Sequence, residues 1–312
     1  MRNSSPYLEG KDVCVFDIET TGLSAKYSGV ISASFFYPES EELVQLFCDE
    51  PGLEKSLLAE CRDRLSACDA VISYNGDSFD LPFLNKRLID VAALPGLPLF
   101  KSVDLFKYLR RYWPAAKTLE SLSQKSVEQF LGLSESRDDL IGGRECIELY
   151  RAWLQTGREE LKQTILLHNA DDVRQLARVY ASLNFLPWHE IALREGYPLR
   201  TEFKRASVRG AEIKGSRLSV KGRTLPGFIP ASIFEEGYGY EYSGLSGEFK
   251  LELYLIDSGD RLLADLDALP VDQAAFEGLP GVGSGYLIVC SGKRPNAAAV
   301  NALVSAMLRR LV

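Results

Sequence analysis

The sequence predicts an α/β domain with a mixed sheet at the N-terminus, followed by a smaller β-rich domain. Short apolar runs near the N-terminus have the length of strands, and later runs alternate with segments of helical periodicity. Beyond about residue 188, alternating β-type segments appear, and glycine and proline become frequent. We therefore predict a boundary near Pro187 that separates residues 1–188 from residues 189–312.

The first half of the N-terminal domain starts with three predicted strands, at Val13–Phe16, Val30–Tyr37 and Glu42–Cys48. Their shortness is typical of antiparallel neighbours. Gly52–Cys68 carries its leucines at helical spacing, and Ala70–Tyr74 is again a short apolar run. A meander of strands followed by strands that alternate with helices indicates a mixed sheet flanked by helices.

The second half is mainly helical. An amphipathic helix is predicted at Leu81–Val91 and a fifth strand at Phe100–Leu105. Leu119–Leu183 has mostly helical periodicity, with breaks at Gly132 and at Gly142-Gly143. In the β-rich domain, strands are predicted around 217–220 and 249–256, and a final helix from about residue 297 to 311.

Composition excludes several classes of protein. With 46% hydrophobic residues in 312, the chain has enough apolar side chains for a full core. It has no apolar stretch of the length that spans a membrane, so no membrane partner is expected. The six cysteines form no C-x-x-C pair, which favours reduced thiols of a cytoplasmic protein over a disulfide framework or a zinc site. A net charge of −7 argues against coating nucleic acid by charge alone, but not against an enzyme whose clustered carboxylates bind metal.

Asp17 and Glu19 follow the first apolar strand and are two residues apart. Side chains at i and i+2 share one face of a strand, so both carboxylates point the same way. Two adjacent like charges repel each other unless a cation lies between them. The alternative interpretation is a strand end at the surface, with both acids solvated.

Asp80 lies after the strand Ala70–Tyr74, beyond a turn that Gly76 permits. Asp77 and Ser78 are interpreted as N-cap residues of the following helix. Asp80 is also a candidate N-cap, but apolar neighbours surround it in the sequence. A buried carboxylate of this kind needs a partner or a metal ion.

His168 and Asp172 are four residues apart in a helical segment and therefore share one face. The alternative is a histidine in the core with Asp172 on the solvent side. Asp171, one step round the helix, is predicted to face water.

Together these residues fit one kind of chemistry. Mg²⁺ and Mn²⁺ prefer carboxylate and water oxygens. Two such ions about 4 Å apart can activate a water and stabilise the leaving oxygen of a phosphodiester. A nearby imidazole can orient that water or take its proton.

Three segments in this order resemble the motifs of the DEDD 3′–5′ exonucleases, which have a ribonuclease H-like fold. Phe16–Leu23 (FDIETTGL) is similar to the first motif, residues 74–84 (YNGDSFDLPFL) to the second, and residues 168–173 (HNADDV) to the third. The second has the form seen in the proofreading domains of family B DNA polymerases. The resemblance covers about residues 10–185 and is strongest to bacterial stand-alone ribonuclease H-like proteins with an exonuclease signature.

The resemblance implies a role for each motif residue. The metal ligands would be Asp17, Glu19, Asp80 and Asp172, with Asp17 bridging two Mg²⁺ or Mn²⁺ ions. Substrate contacts are expected from Thr20, Gly22, Leu23, Asn75 and Phe79, with Leu23 near the terminal base. In one branch of the family a tyrosine precedes the last aspartate by four residues, and in the other a histidine precedes it by five. Here His168 precedes Asp172 by four, and it is expected to fill the catalytic, water-orienting place.

The expected function is hydrolysis of phosphodiester bonds at single-stranded DNA or RNA ends by a two-metal 3′–5′ exonuclease. One alternative is a non-catalytic nucleic-acid-binding module on the same fold. A second alternative is a structure-selective endonuclease.

Two further segments have an open interpretation. Asp104 is expected to be an N-cap, with a supporting role at the site as the alternative. Residues 194–223 hold nine basic residues against three acidic ones. They either guide nucleic acid towards the acidic cleft or keep exposed strand edges soluble.

Overall fold

The computed structural model describes residues 4–133, 141–201, 204–227 and 229–312. The chain divides into two compact units, Met1–Leu186 (unit 1) and Pro187–Val312 (unit 2). No helix in the described part of the chain is both long and apolar enough to cross a membrane. The six cysteine side chains are buried free thiols, as the sequence predicts.

Unit 1 contains a five-stranded sheet in the order β3-β2-β1-β4-β5. The strands are β1 (Val13–Thr20), β2 (Val30–Tyr37), β3 (Glu42–Phe47), β4 (Ala70–Ser73) and β5 (Lys101–Asp104). The pairs β1–β2 and β2–β3 are antiparallel. The pairs β1–β4 and β4–β5 are parallel. The mixed sheet confirms the predicted fold class.

Helices cover both faces of this sheet. They are α1 (Glu54–Ala67), α2 (Asp80–Asp90), α3 (Leu105–Tyr112), α4 (Gln124–Phe130), α5 (Gly143–Thr156) and α6 (Glu159–Ser182). One apolar cluster joins Phe16 of β1 to Leu58 of α1 and Leu84 of α2. A second cluster joins Ile31 of β2 to α5 and α6. Burial of apolar side chains on both faces stabilises the layered arrangement.

The alternation of β1 decides where its acidic residues point. Phe16 and Ile18 belong to the cluster that packs on α1 and α2. Neighbouring side chains of a strand point to opposite faces. Asp17 and Glu19 therefore face the side of the sheet that α6 covers, where Asn169 of α6 donates a hydrogen bond to Asp17.

Two elements of unit 1 differ from the predicted pattern. β1 extends four residues beyond Phe16, because antiparallel pairing with β2 continues through the acidic residues, with Asp17 opposite Ser34. The long helical segment has a further break at Gly157, which ends α5 with a φ of 64°. A glycine adopts this left-handed conformation without the penalty of a Cβ atom.

The described residues of unit 2 form two antiparallel sheets and two α-helices. The six-stranded sheet has the order β6-β7-β8-β11-β10-β9, and the second has the order β12-β13-β15-β14, with β16 paired to β15. The strands are β6 (Pro198–Arg200), β7 (Arg205–Lys214), β8 (Arg217–Thr224), β9 (Ala231–Phe234), β10 (Tyr238–Tyr242), β11 (Glu248–Tyr254), β12 (Ile256–Asp257), β13 (Arg261–Asp265), β14 (Val282–Gly283), β15 (Tyr286–Ser291) and β16 (Arg294–Pro295). The helices are α7 (Trp188–Glu195) and α8 (Ala297–Leu311). The β-rich character and the final helix are confirmed, whereas α7 was not predicted.

Candidate active site

Three of the four predicted metal-binding carboxylates converge at one point of unit 1. Asp17 and Glu19 from β1 and Asp172 from α6 each offer an oxygen atom, and these oxygens lie within 4.8 Å of one another. Asp17 and Glu19 approach from the sheet, and Asp172 approaches from the helix that covers it. A group of this kind offers hard oxygen ligands to a divalent cation.

Asp80, the fourth predicted ligand, is tied to the same part of β1. It is the first residue of α2 and is buried. Its Oδ1 accepts a hydrogen bond of 3.3 Å from the backbone N–H of Ile18, which lies between the two acidic residues of β1. The parallel pairing of β1 and β4 explains this position, because α2 follows β4 at the end where the acidic residues of β1 lie.

His168 lies among these carboxylates. Its Nε2 is 3.4 Å from Oε1 of Glu19 and 3.5 Å from Oδ2 of Asp172. The side chain is buried, with 4% of its surface exposed. The spacing of four residues thus brings the imidazole and the carboxylate of Asp172 to one site, as the sequence predicts.

Burial and mutual repulsion alter the acidity of this cluster. Burial, followed by repulsion from Asp80 and Asp172, raises the pKa of Asp17 well above its usual value. Burial raises the pKa of Glu19 to about 7, although the positive charge of a protonated His168 opposes the rise. Burial also raises the pKa of Asp80 to about 7, against the effect of backbone hydrogen bonds. Several buried carboxylates with raised pKa values form a site that a bound cation would stabilise.

Asn169 holds Asp17 in place and was not identified from the sequence. Its Nδ2 donates to Oδ2 of Asp17 at 2.7 Å, and its Oδ1 accepts from the hydroxyl groups of Ser32 at 3.1 Å and Ser34 at 2.7 Å. Gln45 extends the network by donating to Ser34 at 3.0 Å. The two serines at alternate positions of an otherwise apolar strand were the available signal, because they mark a polar stripe on one face of β2.

We expect Asn169→Ala to lower the free energy of unfolding by about 1–3 kcal/mol, because the serine hydroxyls lose their buried partner. The matched control is Gln163→Ala, which removes an exposed amide from the same helix. Its expected effect is less than about 0.5 kcal/mol. Urea denaturation of the two variants beside the wild type measures the difference. Equal stabilities for both variants would contradict a structural role for Asn169.

The prediction that Asp171 faces water was wrong. Its side chain is buried. α4 packs against α6 here, and Nε2 of Gln124 donates to the carbonyl oxygen of Asp172 at 2.9 Å. α4 therefore covers α6 next to Asp171, at a position where helical periodicity alone predicts exposure to solvent.

The N-cap of α2, at the end of the loop that follows β4, differs from the predicted one. Phe79 is the N-cap residue of α2, and no side-chain hydrogen bond caps the helix, so the N-cap interpretation of Asp77 and Ser78 was wrong. Asp77 instead accepts from the hydroxyl of Ser102 at 2.6 Å. The loop is fixed by Asp104, which accepts backbone hydrogen bonds from Asn75 at 3.0 Å and Asp77 at 3.1 Å.

Asp104 is also the N-cap of α3, where it accepts from the backbone N–H of Lys107 at 3.2 Å. This confirms the N-cap prediction. The same carboxylate connects the start of α3 to the loop that carries Asn75 and Phe79. Burial raises the pKa of Asp104, while its three backbone hydrogen bonds lower it.

The residues predicted to contact substrate lie on two loops of unit 1. Thr20 ends β1, and its hydroxyl donates to the carbonyl oxygen of Gly22 at 2.9 Å. Leu23 follows and is 88% exposed, which is unusual for a leucine beside a structured turn. On the second loop, Asn75 has a φ of 63°, and the ring of Phe79 packs against Phe83 with centroids 5.6 Å apart.

Cys146 is a further residue that the sequence did not connect with the site. It lies on α5 and is buried. Its sulfur atom and one ligand atom each of Glu19 and His168 lie within 4.8 Å of one another. The three residues are far apart in the chain, so no local motif indicated their convergence.

The predicted basic segment lies in unit 2, where its described residues belong mainly to the end of α7 and to β6, β7 and β8, and its residues 202 and 203 lie outside the described part of the chain. Arg209, Lys221 and Lys250 line a cleft of about 520 Å³, together with the acidic Glu241 and Glu248. Arg209 is paired with Glu248 at 3.1 Å, so part of the local positive charge is neutralised. The guiding role of this segment stays a prediction.

Comparison with known proteins places unit 1 in a family. Residues 14–184 match the family model of the RNase H superfamily, whose members are generally nucleases that use divalent metal ions. Among similar solved structures is the family B DNA polymerase from the hyperthermophilic archaeon Pyrobaculum calidifontis, with 15% identity and a TM-score of 0.43. That alignment covers 73% of this chain and 33% of the polymerase chain. The comparison with curated proteins gave no significant match. Since the family model covers more than half of its length, this chain belongs to the RNase H superfamily.

Proposed function

We propose that this protein is a metal-dependent 3′–5′ exonuclease that hydrolyses phosphodiester bonds at single-stranded DNA or RNA ends by a two-metal mechanism. The observation that carries the proposal is the convergence of the Asp17, Glu19 and Asp172 carboxylates within 4.8 Å. Asp80 lies beside them and raises the pKa of Asp17 by repulsion. Membership of the RNase H superfamily supports a nuclease in general.

The donor set fits hard divalent cations. Asp17, Glu19, Asp80 and Asp172 would hold Mg²⁺ or Mn²⁺, since carboxylate oxygens are the preferred ligands of both ions. When bound, a pair of such ions supplies activation of a water and stabilisation of the leaving oxygen. The ionised carboxylates of the cluster repel one another when no positive charge lies between them, and this repulsion favours cation binding further.

The chain's own side chains supply proton transfer and substrate contacts. His168 presents Nε2 next to Glu19 and Asp172, where it can orient a water or accept its proton. Leu23, almost fully exposed at the end of the acidic strand, is suited to contact a terminal base. Asn75 and Phe79 lie on the loop that ends at Asp80 and would contact the strand.

A time course on 5′-labelled single-stranded DNA and RNA oligomers tests the proposal. Each oligomer carries either a free or a blocked 3′ end, and Mg²⁺, Mn²⁺ or EDTA is added. On the oligomers with a free 3′ end, we expect a ladder of products that shortens stepwise from that end and requires metal. The oligomers with a blocked 3′ end should stay intact. Internal cleavage of the blocked oligomer would instead identify an endonuclease. Binding without any cleavage would identify a non-catalytic binding module.

We expect His168→Ala to lower the cleavage rate by about 10²–10⁴-fold, because a positioned acid–base group contributes about that much. Affinity for Mn²⁺ should change little, since the imidazole is not among the proposed ligands of the hard ions. Single-turnover rates and Mn²⁺ titrations measure the two effects separately. A normal rate in the variant would exclude His168 from the reaction.

A further inference from the structure

A second group of donors overlaps the acidic cluster. It consists of the Glu19 carboxylate from β1, the Cys146 thiol from α5 and the His168 imidazole from α6. One ligand atom from each lies within 4.8 Å of the other two, and all three residues are buried. Nε2 of His168 is 3.4 Å from Oε1 of Glu19. The group thus combines sulfur, nitrogen and oxygen donors at one point.

This combination of donors differs in chemistry from the four carboxylates. Thiolate and imidazole are typical zinc ligands, whereas Mg²⁺ and Mn²⁺ prefer oxygen donors. Zinc bonds of about 2.0–2.3 Å place ligand atoms about 3–4 Å apart in a tetrahedral site. The 3.4 Å between Nε2 of His168 and Oε1 of Glu19 already lies in this range, and the sulfur atom of Cys146 lies within 4.8 Å of both ligand atoms. Three protein ligands would leave a fourth position for water, as in many zinc sites.

We propose that Glu19, Cys146 and His168 form a Zn²⁺-binding site whose occupation inhibits the enzyme. Zinc binding would form bonds to one atom of each residue and release the thiol proton of Cys146 to the solvent. A coordinated thiol is deprotonated by the metal charge itself.

Inhibition follows from the two shared residues. Glu19 is a proposed ligand of the activating ion, and His168 is the proposed proton acceptor. Zinc bound to both would withdraw the carboxylate from the activating ion and occupy the nitrogen that accepts the proton. The inhibition rests on the proposed nuclease function, whereas zinc binding itself does not.

The binding test uses Co²⁺ as a coloured probe for the zinc site. We expect the wild-type protein to show a thiolate-to-Co²⁺ charge-transfer absorption, which added Zn²⁺ abolishes. The absorption should be absent in Cys146→Ala and retained in Cys61→Ala. Cys61 is a matched control because it is also buried but belongs to the apolar cluster on the other face of the sheet. Cys146→Ser provides a second variant, and thermal unfolding in EDTA shows that each protein is folded.

The inhibition test measures Mg²⁺-dependent cleavage over a range of Zn²⁺ concentrations, with each protein compared with its own zinc-free rate. We expect loss of Cys146 to raise the half-inhibitory concentration of Zn²⁺ about tenfold or more. An absent absorption in the wild type, or one that persists without Cys146, would overturn the proposed site. Equal inhibition of both proteins would overturn the regulatory role. The Co²⁺ absorption tests whether the zinc site exists even if no cleavage is ever detected. Failure of the zinc site can therefore be distinguished from failure of the proposed nuclease function.

Discussion

Asp17→Asn is expected to lower the rate of nucleic-acid cleavage by about 10³-fold or more, because it removes a charge from the centre of the acidic cluster. One carboxylate oxygen of Asp17 lies within 4.8 Å of a carboxylate oxygen of Glu19 and of one of Asp172. The asparagine keeps the shape of the side chain but loses the charge that a cation needs. Single-turnover cleavage of a 5′-labelled oligomer measures the effect.

Asp90→Asn is the matched control for this experiment. Asp90 is an exposed acid at the end of α2, paired with Lys86 at 2.6 Å. Its replacement should leave the cleavage rate unchanged. Strand binding by Asp17→Asn should also persist. Cleavage at the wild-type rate by Asp17→Asn would show that this cluster takes no part in the reaction.

The metal-free protein is expected to lose stability as the pH rises from about 4 to about 7. The pKa of Glu19 rises from 4.5 to about 7 on folding, and that of Asp80 from 3.8 to about 7. Between these values the folded state binds more protons than the unfolded state, so the free energy of unfolding falls with increasing pH. Each group contributes on the order of 3–4 kcal/mol, and the loss is complete about one pH unit above 7, where both carboxyls are ionised in the folded state.

Thermal unfolding in EDTA across this pH range measures the loss. Adding Mn²⁺ at pH 8 should restore the melting temperature, because the cation offsets the repulsion among ionised carboxylates. Asp80→Asn should show a weaker dependence on pH, since one of the titrating groups is removed. A metal-free wild type whose stability rises steadily from pH 4 to 7 would contradict the raised pKa values.

Much of the candidate site was predictable because local patterns determine it. The alternation of a strand places Asp17 and Glu19 on one face. A spacing of four residues, about one turn of a helix, places His168 beside Asp172. Asp80 was recognisable as an acid within apolar sequence at the start of a helix. Each of these relations depends on a few neighbouring residues.

The remaining parts of the site depend on contacts between distant segments. Cys146 reaches Glu19 only because α5 and α6 pack on the same face of the sheet. The cysteine spacing indicated no zinc site, since that pattern detects only ligands that are close in sequence. Asp171 is buried because α4 covers that part of α6. Helical periodicity cannot indicate a covering element of this kind.

The fold was predictable to a similar degree. The apolar runs of β1, β2 and β4 indicated strands, and their order indicated a mixed sheet. The helix α3 was expected only through its N-cap residue Asp104, and α7 was missed. Both helices have only eight residues. Segments this short give too few turns for a clear periodic pattern.

A Mn²⁺ titration of the metal-free protein, followed by electron paramagnetic resonance, tests most directly whether the acidic cluster is a metal centre. Asp17→Asn and Asp90→Asn are titrated beside the wild type. We expect the wild type and Asp90→Asn to bind Mn²⁺ equally and Asp17→Asn to lose this binding. Equal binding of Mn²⁺ by all three proteins, or no binding by the wild type, would contradict it.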